Sequence, residues 1–226
     1  MELILQSLFN ILKFDQSFID IVYLSLLVSL VATIVSAFIS IIISSHMAIK
    51  DFFGKEFLII VINSFMSIPP VVVGLVLYLL FSSSGYLGYL DLLYTAEIMV
   101  IAQFIIVTPI IISLSFRTLS DQYERLSDYL QSLKCSSKMV RNTIIFESRY
   151  DLLIIIITGL SRALSEVGAV IIVGGNIDNL TRVMTTSIVL ETSRGELSLA
   201  LSLGISLIII ALIMNFLIAL IKKRIL

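Results

Sequence analysis

The sequence predicts an all-α, polytopic membrane protein with five transmembrane helices, and three observations carry that expectation. Of the 226 residues, 58% are hydrophobic, and the mean hydropathy is +1.10. Soluble domains lie nearer about 45–50% apolar. Apolar runs of the ~20 residues needed to cross a bilayer core recur along the chain. Finally, Lys and Arg sort to alternate sides of these runs, as the positive-inside rule requires.

The spans fall at about 21–44, 57–81, 96–116, 152–173 and 197–221. The first has no charge. The second contains Pro69-Pro70 and the third Pro109. Proline removes a donor and bends a helix, so kinks are expected there. The fourth carries Arg162 and Glu166. Lys50 and Lys55 follow the first span, and Arg117, Arg125, Lys134, Lys138, Arg141 and Arg149 follow the third. Lys222, Lys223 and Arg224 end the chain. All of these fall on one side, which predicts the N-terminus outside and the C-terminus inside. A region spanning 19–221 is thus the transmembrane domain, with a basic tail at 222–226. Residues 1–18 are apolar at Leu3, Ile4, Leu5, Leu8, Phe9, Ile11, Leu12 and Phe14, with polar residues between. They predict an amphipathic helix in the outer interface, too short to span. They lack the basic n-region and small-residue cleavage site of a signal peptide.

Several classes are excluded. No GxxxxGK[ST] phosphate loop occurs, so the chain offers no such ATP site. An intramembrane serine protease needs a histidine at membrane depth, and the one histidine, His46, sits in a predicted cytoplasmic loop. One His and one Cys cannot build a His/Cys metal site. Lone Cys135 makes no internal disulfide. No internal repeat is visible, and five spans do not halve, unlike inverted-repeat transporters. Five helices enclose little by themselves. A pathway is more easily built at a homodimer axis, where two copies pool their polar faces.

Three segments carry candidate chemistry. The cytoplasmic loop, 117–150, has apolar residues at roughly helical spacing, with a turn expected near Cys135-Ser136-Ser137. Two helices there read either as a hairpin covering the bundle or as a docking element for a cytoplasmic partner. In the fourth span, Arg162 lies about 15 Å from the span's start at 1.5 Å per residue, near the midplane. A lone charge there costs roughly 3 kcal/mol or more. Arg162 and Glu166 are four apart, so they share a face and can neutralise each other. They serve either as a structural salt bridge or as a pathway lining that attracts an anion. In the external segment, 174–196, Gly174 and Gly175 stop the helix, and Asn176 and Asn179 suit a turn. Thr181, Arg182, Thr185 and Thr186 then offer donors of the kind that hold oxyanions. A polar, well-capped re-entrant loop is the other reading. Ile188, Val189 and Leu190 point to a gate helix dipping toward the bilayer.

The same segments resemble a family. The loop is similar to the EAA loop of ABC-importer permeases. Asp128 stands at its Glu, Tyr129 and Leu130 at its Ala places, Lys134 at its Gly, Ile144 at its Ile, Phe146 at its Leu and Glu147 at its Pro. Only Ile144 is retained. Lys134 replaces a glycine that relieves backbone constraint. Arg-Ala-Leu-Ser-Glu-Val-Gly-Ala, 162–169, resembles permeases that import molybdate, tungstate and sulfate. Pro-Pro-Val-Val-Val-Gly-Leu, 69–75, fits the same group. GGNIDNLTRVMTTSIVLETSRGEL, 174–197, is most similar to the tungstate branch. The resemblance implies a type I ABC importer permease fold, a homodimer in the bacterial inner membrane, and no enzymatic activity in this chain. It also implies two cytoplasmic ATPase subunits that bind ATP and Mg, an external binding protein delivering the oxyanion, lipid as solvent, and no nucleic acid. Asp128, Lys134, Cys135, Ser136 and Ile144 are then the candidates for ATPase coupling.

Overall fold

The computed structural model describes residues 16–223, and among these the only regular structure is helical. The expected amphipathic segment 1–18 lies outside them except for its last three residues. Those belong to α1 (Gln16–Ile49), which therefore starts earlier than the predicted span. There follow α2 (Lys55–Met66), α3 (Pro70–Phe81), a 3-10 turn at Gly88–Leu90 and α4 (Ala96–Ser132). Then come α5 (Ser137–Glu147), α6 (Arg149–Leu164), α7 (Gly168–Gly174), α8 (Met184–Arg194) and α9 (Leu197–Lys223). Three helices, α1, α4 and α9, are long and apolar enough to cross a membrane, or up to five spans if each bent pair counts as one.

Three expected spans differ in helical form from the sequence reading. The second, 57–81, is not one helix: α2 and α3 meet at 94°. Pro70 opens α3 at its first position and Pro69 caps it in extended backbone. Neither proline has an N–H to give the preceding turn, and Pro70 drives Pro69 out of helical geometry. The fourth, 152–173, breaks at Ser165–Val167, and α6 and α7 diverge by 57°. The third does not stop at Phe116 but continues to Ser132. At 1.5 Å per residue α4 is about 55 Å long, well beyond a ~30 Å hydrocarbon core. Its far part is thus the first helix of the loop hairpin. Pro109 does not interrupt it. Thr108 Oγ1 donates to Phe104 O at 2.6 Å and lies 2.9 Å from Ser36 Oγ. A hydroxyl pair sits at the turn where proline withholds its N–H.

The core is built on α1 against α4. Small buried side chains on α1, Ser29, Ala32, Ser36 and Ser40, let the two backbones approach. Membrane helices pack through such residues because lipid gives no hydrophobic drive between them. Ser40 Oγ also donates to Thr108 O. One cluster joins Val28, Met99, Ala102, Val170 and Val173, and another joins Val107, Ile111, Leu119, Ile144 and Leu152. The latter ties α5 to the bundle. Outward faces are strongly apolar. No residue of α2 is buried, and Ile208, Leu212, Ile213 and Phe216 of α9 are exposed.

Candidate functional site

The site forms where the two broken pairs cross. Pro70–Phe81 and Gly168–Gly174 are both short segments set at an angle to their preceding helices, and they lie against each other. Their contact is close enough to require glycine. A Cβ on Gly74 would stand 2.8 Å from Ala169 Cα. The 69–75 and 162–169 stretches, far apart in sequence, are therefore one structural unit.

A break at membrane depth frees backbone groups that water cannot satisfy, so protein must. Several of the groups freed near Ser165–Val167 have side-chain partners. Gln103 Nε2 donates to Ala163 O at 3.2 Å. Thr185 Oγ1 donates to Glu166 O at 2.8 Å. The Glu166 carboxylate accepts from Ala169 N–H at 3.2 Å through Oε1 and from Arg162 Nη1 at 2.8 Å through Oε2. Glu166 thus caps α7 while neutralising Arg162. Its anionic oxygen also lies where a helix start favours negative charge.

Arg162 sits in the last turn of α6 and Glu166 in the break. They do not share one continuous helix face as their spacing alone implies. Their exposures differ sharply: 36% for the Arg162 side chain and 3% for Glu166. A guanidinium has five N–H donors. Among the described residues only Nη1 is engaged. The remainder edges a small cavity bounded by Phe65, Met66, Ile68, Val73 and Ile106 at the α2–α3 bend. The arrangement presents a cation, half neutralised, to a small cavity of mostly apolar lining.

The external candidates are placed differently. Gly174 closes α7, and Gly175 takes φ 68, the left-handed cap. Asn176 and Asn179 also adopt positive φ. The hydroxyls, however, bond inward. Thr181 Oγ1 donates to Gly174 O and accepts from Ile177 N–H. Thr186 Oγ1 donates to Asn176 Oδ1 and accepts from Val183 N–H. Thr185 is committed to Glu166 O. Arg182 pairs with Asp178 at 3.0 Å beside Asp20. These groups tie the 174–186 turn together and to the break. Met184 N–H donates to Ser25 Oγ of α1 at 2.7 Å, fastening the start of α8.

In the loop hairpin, Lys134 adopts φ 48. The lysine at the glycine place thus keeps a glycine-like left-handed turn. Ser136 caps α5, accepting from Met139 N–H. Ile144 is fully buried, Cys135 half-buried, and Asp128 exposed, with its carbonyl accepting from Ser132 Oγ. Tyr129, Leu133, Met139 and Phe146 are exposed apolar side chains on this hairpin.

Sequence reasoning did not single out Gln103, a lone amide in an apolar run. That composition was its signal.

No protein-family profile matches the chain. Relatives do. It is 38% identical to the tungstate uptake system permease protein TupB of Peptoclostridium acidaminophilum, covering 91% of this chain and 90% of that one. The chain belongs to the family of tungstate-type ABC-transporter permeases. This permease is also 35% identical to a probable anion ABC transporter permease protein of Haloferax volcanii, over 91% of each. It is 33% identical to TupB of Campylobacter jejuni, over 93% of this chain and 88% of the relative. The family's ABC permeases are transport components, and this one is a multi-pass membrane protein.

Proposed function

We propose that the chain is the membrane-spanning permease subunit of an ATP-driven ABC importer for tungstate. Two of the relatives carry tungstate uptake in their names. The 174–197 stretch supports the same substrate over molybdate or sulfate. Each bent pair counts as one span in this reading, giving five, with the N-terminus outside and the C-terminus inside the bacterial inner membrane. The gathering of Lys and Arg at the α1–α2 turn, the hairpin and the end of α9 supports that orientation. Catalysis belongs to separate ATPase subunits, which bind ATP and Mg; two of them dock on the hairpin, through Asp128, Lys134, Cys135, Ser136 and Ile144. An external binding protein delivers the anion.

The pathway lies at a homodimer axis. The wholly unburied α2, beside the cavity of Arg162, supports this. Energetics require the ATPase. A dianion entering against 100 mV opposes roughly 4.6 kcal/mol, at about 2.3 per charge, before any gradient. A secondary anion transporter is the alternative of another class, and no observation here favours it.

Arg162 carries the reading: a guanidinium about one-third exposed, in the fourth apolar span, with free donors beside the cavity at the α2–α3 bend. Glu166 stops it from trapping the anion. Uptake by an Arg162→Ala/Glu166→Ala double variant tests this. We expect loss of at least about ten-fold, one missing anion contact of ~1.4 kcal/mol or more. Normal uptake would leave the pair a structural role only.

A further inference from the structure

A second cluster of cations gathers where the end of α1 meets the start of α5. His46 and Lys50 close α1, and Ser137, Lys138 and Arg141 come from the first turns of α5. Together they line a cavity of about 190 Å³. Three formal positive charges converge there, with an imidazole and a hydroxyl as further hydrogen-bonding groups. Among the described residues none of them has an acidic partner. The nearest carboxylate in sequence, Asp51, is held 2.8 Å from Lys55 Nζ instead. Arg149, the other nearby cation, stacks on Phe146 and Tyr150 and takes no part. Cations packed together without a counter-charge repel one another. The C-terminal end of α1 offsets part of this for His46 and Lys50, but not for Lys138 and Arg141, which sit at a helix start where cations are disfavoured.

The cavity also has a directional neighbour. Ile34, Phe38 and Ile42 are exposed on α1 at steps of four residues, and the next step of that ridge is His46. From Ile34 to His46 is about 18 Å at 1.5 Å per residue, close to half of a ~30 Å hydrocarbon core. An apolar ridge one leaflet long thus runs into a cationic pocket. Exposed Met139 and Phe146 of α5 are not among the lining residues.

We propose that this cavity binds the phosphate of an anionic phospholipid, with an acyl chain lying along the Ile34–Phe38–Ile42 ridge. Lys50, Lys138 and Arg141 hold the phosphate, and His46 and Ser137 hydrogen-bond to it. Basic pockets between membrane helices take such head groups. The site is independent of which oxyanion the permease carries. A bound lipid there bridges α1 to the hairpin and fixes the hairpin's height at the membrane surface.

The test uses the full-length permease in nanodiscs of mixed phosphatidylglycerol and phosphatidylcholine, released into native mass spectrometry. Wild type should retain phosphatidylglycerol selectively, and excess inorganic phosphate should not displace it. Lys138→Gln/Arg141→Gln should lower retention roughly ten-fold. Lys50→Gln, on α1 and outside the hairpin, should lower it several-fold, which keeps the test decisive if the hairpin variant misfolds. Equal retention of both lipids overturns the proposal. So does undiminished retention by Lys50→Gln, or displacement by phosphate, which would make the pocket a site for free oxyanions.

Discussion

At the residue scale, the account turns on Glu166. Its carboxylate does two jobs, pairing with Arg162 and capping α7 through Ala169 N–H. Glu166→Gln keeps an oxygen for the cap but removes the charge. Glu166→Ala loses both and leaves Arg162 unneutralised. We expect Glu166→Ala to lower stability by about 2 kcal/mol, below the range for fully buried pairs because Arg162 is partly exposed. Glu166→Gln should cost roughly half as much; detergent-phase thermal unfolding ranks the two. Equal losses would mean that the cap plays no part. Gln103→Leu should cost less than about 1 kcal/mol, because Ala163 O keeps its bond from Glu166 N–H. The pair itself is legible in the sequence, because two opposite charges four apart in an apolar run have few other partners. The cap is not. It exists only because the helix breaks at Ser165–Val167, and periodicity carries no mark of a break inside a uniformly apolar stretch. The external hydroxyls show the converse. Their donor chemistry is plain from Thr181, Thr185 and Thr186, but hydroxyls serve a turn as readily as a ligand, and only contacts tell which.

At the element scale, the broken helices and the hairpin decide behaviour. Pro69-Pro70 announces a break but not its 94° angle, which depends on the close seat of Gly74 on Ala169. Gly74→Ala places a Cβ against backbone that cannot yield by rotamer change, and should cost about 1–3 kcal/mol. Thermal unfolding of that variant checks the close approach; an unchanged midpoint would contradict it. In the hairpin the turn near Cys135 is legible from its polar run, whereas the continuity of α4 through Pro109 is not, since proline's usual effect is to interrupt. Lys134 holds a left-handed turn at φ 48. Lys134→Gly should therefore raise stability by up to ~1 kcal/mol, and Lys134→Val should lower it. The turn's neighbour, Cys135, offers a direct probe of docking. In an assembled complex it should crosslink to an ATPase subunit, and no crosslink would count against the hairpin as the coupling element.

At the scale of the whole molecule, one chain supplies two crossed, broken helix pairs, a cation at their junction and a protruding hairpin. The outward apolar faces of α2 and α9 leave room for lipid and a second copy. Coupling then needs no nucleotide site here. In the proposed importer, movement of the hairpin would pass through Ile144 and Leu152, which share a cluster with α4. The all-helical, multi-pass character was readable from hydropathy. The crossing of the pairs was not, because it joins residues 69–75 to 162–169 through space. The direct measurement is tungstate uptake into vesicles holding the permease, its ATPase and the binding protein. Uptake should require ATP inside the assembled system and vanish when the ATPase is omitted. Uptake that persists without the ATPase would contradict the account.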